Sequence, residues 1–303
     1  MTSRAVVIVS GGDAISPFTT PELSCGAGLA AGSTDTALRQ ALLEAGFATY
    51  TSPANAGSGP VSADTGFAGF SSPPPQLPAA MTVDAVGPID AAGERLATFL
   101  AFLTGTYGID EVDLVGHSMG GLFSRAAVRE LKQVGHGLRV RSLITLGTPW
   151  EGSFAADYAN GTVPIEAAEG DRGTETIMQS FKEATRESST GAGEQVTRHY
   201  LAGPNGWNAR QAGILDDIPV TLIAGAYFAH DGGAPQVWPH DGLATVGSAL
   251  ATSTPSDVLP SRQTHTFDDV HSIYFADQFS LPWEKALTWD PVVHATVVDA
   301  LGR

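Results

Sequence analysis

The sequence predicts an α/β protein with a mostly parallel central sheet and helices on both of its faces. Two observations support this fold class. Short aliphatic runs alternate along the 303 residues with longer segments whose apolar residues recur at helical spacing. Such alternation favours parallel strands, because the chain returns between parallel neighbours through a helix. A hydrophobic content of 43% is enough to bury a sizeable core.

The first predicted elements are a strand, a loop and a helix. Residues 4–9 form an aliphatic run typical of a buried strand, and the small and polar residues 10–13 end it. Residues 33–35 (Ser-Thr-Asp) are typical of a helix start, and Gly46 ends that helix before a second strand at 47–50. The fold is expected to start directly at the strand 4–9, which precedes the loop at 10–13.

A stretch rich in proline, glycine and serine at 52–79 separates these elements from the next helix. It includes three consecutive prolines and is expected to be a long irregular loop. Asp90 is the expected N-cap of the helix that follows, and Gly108 is its expected stop. The next strand is predicted at 112–115.

The rest of the chain continues the alternation. The expected elements are a helix at 119–132, strands at 140–146, 219–226 and 262–267, and a helical tail at 282–301. Residues 151–215 contain helical pieces and glycine-rich breaks without a clear strand. They are expected to be a lid or cap insertion within a single domain that covers residues 1–303.

Composition and charge exclude several classes of function. The formal net charge of −16 would repel nucleic acid and anionic membrane surfaces. The aliphatic run at 5–9 is far too short to span a bilayer and lacks the flanks of a signal peptide, which predicts a soluble, cytoplasmic protein without stable membrane insertion; bacterial secretion stays open. Cys25 is the single cysteine, so an intramolecular disulfide and a cysteine-based zinc site are both excluded. The oligomeric state stays open.

The most informative stretch is VDLVGHSMGGL at 112–122, where an apolar strand runs into a Gly-x-Ser-x-Gly pattern and then into a helix. The pattern alone is weak, but this setting is the one that a nucleophile needs. A sharp strand-to-helix turn would strain the backbone of Ser118 and expose its hydroxyl. Gly116 and Gly120 would be small because strand and helix come close there, and the backbone N–H of Met119 would face a developing oxyanion. The alternative is a plain glycine-rich turn.

The motifs VGHSMGG and LGTP resemble the α/β-hydrolase fold, in particular bacterial lipases and esterases. The resemblance is dense at 5–13, 112–125, 144–153 and 240–250. It implies a Ser, Asp, His triad in that chain order. It also implies that loops after late strands supply the acid and the base that a serine hydroxyl needs.

The expected acid is Asp241, because residues 239–244 resemble the Asn-Asp-Gly-Leu-Val segment of lipases. Asp231 is the second choice, and a simple Asp-Gly turn is the alternative interpretation of Asp241. The expected base is His271, just beyond the last strand. His265 lies inside that strand and is the second choice, while His294 is expected to be structural.

The second oxyanion donor is expected to be the backbone N–H of Gly12. In the family this loop usually reads His-Gly-x, whereas here it reads Ser-Gly-Gly-Asp at 10–13, which leaves the identity of the donor open. The resemblance also extends to the calcium that Pseudomonas-type lipases bind near the base. Asp268 and Asp269 are thin evidence for such a site, so neither a metal nor another cofactor is predicted.

The expected pocket residues are Phe18, His117 and Trp150. Trp150 stands where the lipase Gly-Thr-Pro-His-x-Gly segment commonly has histidine, and a merely packed tryptophan is an equal alternative. The negative charge favours uncharged, small-molecule or lipid-like esters with some apolar bulk. The sequence therefore predicts a serine carboxylic-ester hydrolase that acts through an acyl-enzyme. The alternatives are an amidase, thioesterase, lactonase or acyltransferase with the same triad, or a non-catalytic binding protein on this scaffold.

Overall fold

The computed structural model describes residues 3–23, 35–61, 69–187 and 192–302. Its strands are β1 (Arg4–Val9), β2 (Thr49–Thr51), β3 (Ala54–Asn55), β4 (Val83–Asp84), β5 (Glu111–His117), β6 (Arg139–Leu146), β7 (Val220–Gly225) and β8 (Arg262–Phe267). Its α-helices are α1 (Thr36–Glu44), α2 (Ile89–Tyr107), α3 (Met119–Gln133), α4 (Phe154–Ala159), α5 (Arg172–Glu187), α6 (Ala192–Gln195), α7 (Arg198–Ala202), α8 (Val246–Ala249), α9 (Ile273–Gln278) and α10 (Pro291–Leu301).

Two compact units make up the chain, Met1–Thr145 with His294–Arg303, and Leu146–Val293. In the first unit the strands are hydrogen-bonded in the order β2-β1-β5-β6. β1 is parallel to both of its neighbours, with Val7 opposite Tyr50 on one side and Leu114 on the other. Residues 5–9 are all buried, because a central parallel strand is covered on both faces. This explains why β1 is an unbroken aliphatic run.

Helices α2 and α3 cross closely within the first unit. A Cβ on Gly93 of α2 would lie 2.3 Å from Cβ of Ala126 in α3, so small residues set the distance between them. Gly108, with φ of 66°, ends α2 as predicted. The predicted N-cap was wrong: Pro88 occupies that position, and Asp90 lies in the first turn, where its carboxylate accepts a hydrogen bond from Nη2 of Arg129 at 2.9 Å.

Several predicted boundaries in the first unit also change. β2 begins at Thr49 rather than at residue 47, because the N–H groups of Gly46 and Phe47 still bond to carbonyls of α1. The loop at 52–79 is not wholly irregular, since β3 within it pairs in parallel with β4. Residues 62–68 of that loop, and residues 33–34 of the predicted helix start, lie outside the described residues.

In the second unit β7 is parallel to β8, with Ile223 opposite His265. β7 is fully buried, whereas most of β8 is exposed. The described part of residues 151–215 contains α4 to α7 and 3-10 turns without a strand, as predicted. That this segment is a lid, and that residues 1–303 are a single domain, stay predictions.

The predicted helical tail at 282–301 was only partly right. A 3-10 turn covers Trp283–Lys285, and α10 begins at Pro291. The backbone at 285–287 is hydrogen-bonded to the loop after β8. The N–H of Val270 donates to the carbonyl of Lys285 at 2.8 Å, and the N–H of Leu287 donates to the carbonyl of Val270 at 3.0 Å. These bonds take the backbone groups that a continuous helix would need. No helix within the described ranges combines the length and the apolar character needed to cross a bilayer.

Candidate active site

Ser118 lies on the turn between β5 and α3. Its backbone has φ of 54° and ψ of −130°, a conformation that a residue with a side chain seldom adopts. Such backbone strain costs about 1–3 kcal/mol and persists only where the surroundings enforce it. The strained turn predicted at this junction is present, and α3 begins at the next residue, Met119. The first N–H groups of a helix have no acceptor inside the helix, so they are suited to bind an anion.

The glycines around Ser118 are required by close backbone contacts. A Cβ on Gly116 would lie 2.5 Å from N of Gly121, and a Cβ on Gly120 would lie 2.0 Å from the carbonyl oxygen of Val9. Strand β5, strand β1 and the start of α3 therefore meet with no room for a side chain. This contact fixes the turn in its strained form.

Gly120→Ala is expected to lower the free energy of unfolding by at least about 2 kcal/mol, because the added methyl meets backbone rather than a movable side chain. Chemical denaturation of the two proteins would measure the difference. Gly105→Ala is the matched control, since nothing lies within 4 Å of its added Cβ in α2. It is expected to raise the same quantity by about 0.5–1 kcal/mol through helix propensity. A Gly120→Ala protein as stable as the wild type would contradict the packing described here.

The loop after β1 lies directly against the turn. A Cβ on Gly11 would be 2.5 Å from Cβ of Ser118 and 3.2 Å from its Oγ. A Cβ on Gly12 would be 3.0 Å from Sδ of Met119. Gly12 is exposed, and the N–H of the next residue, Asp13, donates to the carbonyl of Ala85 at 3.3 Å. The backbone of this loop thus passes within contact distance of the serine and of the first helical residue.

In the second unit His271 is paired with Asp241. Nδ1 of His271 lies 2.7 Å from Oδ2 of Asp241, and both side chains are buried. The other carboxylate oxygen accepts hydrogen bonds from the N–H groups of Leu243 and Ala244, both at 2.8 Å. The N–H of His271 also donates to the carbonyl of Asp241 at 2.7 Å. Both carboxylate oxygens of Asp241 therefore have hydrogen-bond partners, and the carboxylate orients the imidazole ring of His271.

The other candidates lie elsewhere. His265 is in the middle of β8, opposite Ile223, and Asp231 is exposed in a turn. His294 belongs to α10. The geometry of the second unit thus joins the two residues that the sequence ranked first as acid and base.

The Gly-Thr-Pro segment that follows β6 borders this pair. Gly147 has φ of 59°, and a Cβ on it would lie 2.8 Å from Oδ2 of Asp241 and 2.9 Å from Nδ1 of His271. Its N–H donates to the carbonyl of Ile223 in β7 at 2.8 Å. Glycine is needed here for both the conformation and the space. Sequence analysis did not single out Gly147, although its place in the lipase-like motif was a signal.

Residues 151–153 attach the same segment to the loop of Asp241. Oε1 of Glu151 accepts hydrogen bonds from the N–H of Ser253 at 2.6 Å and from Oγ1 of Thr254 at 2.9 Å. Oγ of Ser153 donates to the carbonyl of Leu243 at 2.6 Å. Burial raises the pKa of Glu151 above its ordinary value, and the two hydrogen bonds oppose that shift. These contacts hold the acid loop in place from the side of the Gly-Thr-Pro segment.

Two of the three predicted pocket residues, Phe18 and Trp150, are buried in the core. Phe18 is 1% exposed and packs among Tyr50, Phe99, Phe102 and Tyr107, with ring centroids 5.6–6.4 Å away. Trp150 is fully buried, and its carbonyl accepts a hydrogen bond from Nδ2 of Asn208 at 2.8 Å. Their large apolar surfaces are thus used for packing, and the pocket role expected for them stays a prediction.

His117, the third predicted pocket residue, is buried beside an acidic group. Its Nδ1 lies 3.9 Å from Oδ1 of Asp35. Oδ2 of Asp35 accepts a hydrogen bond from Oγ of Ser10 at 2.5 Å. The sequence pattern around Asp35 predicts only a helix start, so this buried group was not predicted.

The two aspartates considered for calcium have other partners. Oδ2 of Asp268 is 3.0 Å from Nζ of Lys285 and is exposed. Asp269 is buried, which together with a hydrogen bond to Asp290 raises its pKa to about 7. In the ranges that the structure describes, no group of three or more His, Cys, Asp and Glu side chains could hold a metal ion.

Residues 97–161, which include the Ser118 turn, match the family model described as a PGAP1-like alpha/beta domain. Proteins called triacylglycerol lipase from Pseudarthrobacter phenanthrenivorans and Burkholderia plantarii are each 38% identical over 74 residues, which is 24% of this chain. The chain spans only about a fifth of these relatives, 22% and 19% of their lengths.

Two solved structures resemble nearly the whole chain. A lipase from Bacillus licheniformis in its mature form has a TM-score of 0.56 at 14% identity, over 99% of this chain and 92% of its own. A gene product from Listeria innocua has a TM-score of 0.50 at 16% identity, over 99% and 94%. At such identities the likeness shows the fold. Together with the parallel strands and the strand–serine–helix turn, it shows that the chain has the α/β-hydrolase fold.

Proposed function

We propose that the protein is a serine hydrolase that cleaves carboxylic esters through an acyl-enzyme. The observation that carries the proposal is the backbone of Ser118, held at φ of 54° between a buried strand and a helix N-terminus. A serine is strained in this way where its hydroxyl must project as a nucleophile. The hydrogen-bonded pair of His271 and Asp241 supports the assignment, because a serine nucleophile needs an oriented base.

In the first half-reaction, Oγ of Ser118 attacks the ester carbonyl carbon while Nε2 of His271 takes the hydroxyl proton. Asp241 holds the proton on Nδ1 of His271 and stabilises the imidazolium that forms. The new tetrahedral oxygen carries a negative charge, which the N–H groups of Met119 and Gly12 would bind. The intermediate then collapses, the bond to the alcohol oxygen breaks, and the imidazolium gives its proton to the departing alcohol.

The second half-reaction reverses these roles with water. His271 takes a proton from a water molecule, whose oxygen attacks the acyl carbon bound to Ser118. The tetrahedral intermediate collapses with return of the proton to Oγ of Ser118, and the carboxylic acid leaves. The mechanism requires Nε2 of His271 to reach Oγ of Ser118. It needs no cofactor.

The substrate class follows from charge and from the names of the relatives. With a net charge of −16, the protein would repel strongly anionic substrates, so uncharged esters are favoured. The two relatives are called triacylglycerol lipases, which favours esters whose acid part is an aliphatic chain. We therefore propose small-molecule or lipid-like carboxylic esters as the substrates.

A panel of matched substrates tests this function. For acyl chains of two to twelve carbons, the p-nitrophenyl ester is expected to give a kcat/KM at least about 100-fold above that of the corresponding anilide, whose nitrogen is the poorer leaving group. The corresponding thioester separates a thioesterase from an esterase. A folded protein that hydrolyses none of these compounds, or that prefers the anilide or the thioester, would contradict the proposal.

A further inference from the structure

The loop that follows β1 begins with Ser10. Its hydroxyl donates to Oδ2 of Asp35 at 2.5 Å. Because that donation uses its only proton, the 2.7 Å contact with Ser16 must be a bond in which Ser16 donates to Ser10. All three residues are about 1% exposed. A buried chain of hydrogen bonds thus fixes the first residue of the loop.

The same carboxylate also faces the residue before the nucleophile. Oδ1 of Asp35 lies 3.9 Å from Nδ1 of His117, which is the last residue of β5 and directly precedes Ser118. The two oxygens of Asp35 therefore face different elements. Oδ2 faces Ser10 at the start of the loop, and Oδ1 faces His117 at the end of β5. Gly11, the residue after Ser10, has no space for a side chain against Ser118.

This arrangement is unfavourable for the stability of the fold at neutral pH. Burial raises the pKa of Asp35 to about 6 from its ordinary 3.8, although the hydrogen bond from Ser10 opposes the shift. For a carboxyl whose folded pKa is raised, the unfolded chain releases the proton first. Stability is therefore lost as the pH rises from about 4 to about 6 and is not recovered above that. An apolar residue would be more stable at this buried position, which favours a role beyond folding for the hydrogen-bond acceptor that Asp35 supplies.

We infer that Asp35 is a positioning residue. It holds the loop after β1 (residues 10–13), which contains the proposed oxyanion donor Gly12, against the turn that carries Ser118. It accepts the hydrogen bond of Ser10 and thereby sets the place of Gly11 and Gly12, whose backbone lies beside Ser118 and Met119. This inference rests on the proposed function, in which the N–H of Gly12 binds the oxyanion. A donor displaced by a fraction of an ångström stabilises the transition state less, while substrate binding in the ground state changes little.

The experiment compares variants of Asp35 per active site. Wild type, Asp35→Ala, Asp35→Asn and the control Glu44→Gln are titrated with a fluorophosphonate, and kcat and KM are measured on p-nitrophenyl butyrate. Glu44 is the matched control because it is an exposed acid on α1, the helix that Asp35 precedes. Dividing the rate by the titrated sites removes any loss that is due only to unfolded protein.

Asp35→Ala is expected to lower kcat per titrated site by about tenfold or more, with KM within about threefold of the wild type. Asp35→Asn is expected to stay within about threefold of the wild type in kcat, because the amide oxygen can still accept the hydrogen bond of Ser10. Glu44→Gln is expected to leave both constants unchanged.

Ser10→Ala removes the other partner of the bond and keeps the inference testable if Asp35→Ala does not fold. It is expected to lower kcat per site by about tenfold. The double variant Ser10→Ala/Asp35→Ala is expected to be no slower than the slower single variant, since both remove one interaction.

Wild-type kcat per site in both Asp35→Ala and Ser10→Ala would overturn the inference, as would an Asp35→Asn protein as slow as Asp35→Ala. In these cases Ser118→Ala would still abolish labelling, so the proposed function would stand. A folded wild type that neither labels nor hydrolyses esters would overturn the proposed function itself, and with it this inference.

Discussion

Ser118→Ala is expected to lower kcat/KM for ester hydrolysis by at least about 10⁴-fold while the protein stays folded. The substitution removes the only atom that would form the acyl-enzyme, and the oxyanion donors and substrate binding would leave only a residual acceleration of about 10³–10⁴-fold over water. It should not destabilise the chain, because the alanine side chain is smaller than that of serine and adds no strain to the backbone at φ of 54°. Steady-state kinetics on p-nitrophenyl butyrate, with circular dichroism on the same samples, measure both effects.

Ser124→Ala provides the control for this substitution. Ser124 lies on α3, six residues further along the chain, and its buried hydroxyl donates to the carbonyl of Gly120 at 2.7 Å. It is expected to change kcat/KM by less than about threefold, since only a local helix bond is lost. A folded Ser118→Ala protein that keeps more than about a tenth of the wild-type activity would rule out Ser118 as the nucleophile.

His271→Ala is expected to have the second large effect, a loss of at least about 10⁴-fold in kcat/KM. Without the imidazole nothing removes the proton from Ser118, and the buried carboxylate of Asp241 loses the partner that lies 2.7 Å from it. His265→Ala is the matched control in the same unit. It should leave kcat/KM within about threefold, because His265 is held in β8 opposite Ile223.

The reverse pattern would be equally clear. If His265→Ala lost the activity and His271→Ala kept it, the base would be His265, and the bond between His271 and Asp241 would have only a structural role. Loss in both variants, with both folded, would require a second function for one of the two histidines. The kinetics therefore separate the two residues that the sequence alone left as alternatives.

Elements with a strong local signal were predicted well. The aliphatic run of β1 and the strand Arg262–Phe267 were placed correctly, and Gly108 ends α2 as expected. The strained turn at Ser118 was also predicted, because Gly116 and Gly120 mark a junction where strand and helix must come close. In each case the signal that predicts the element lies within a short stretch of the sequence.

Features that depend on distant residues could not be predicted. Asp35 bonds to a serine 25 residues before it and faces His117, so its local pattern shows only a helix start. For Trp150 the sequence left packing and a pocket role as equal alternatives, and it gave no sign of the hydrogen bond from Asn208, 58 residues later. The tail pairs with Val270 where helical spacing predicted a longer helix. Tertiary contacts between distant residues determine each of these features, and the local sequence pattern does not indicate which distant residues will meet.

The most direct test of the central claim is to find the residue that a fluorophosphonate modifies. Wild-type protein is labelled to completion, digested and analysed by mass spectrometry. One label per chain is expected, on the hydroxyl oxygen of Ser118, with complete protection by prior reaction with an ester that leaves a stable acyl-enzyme. A label on another residue, or a protein that hydrolyses esters without being labelled, would contradict the claim.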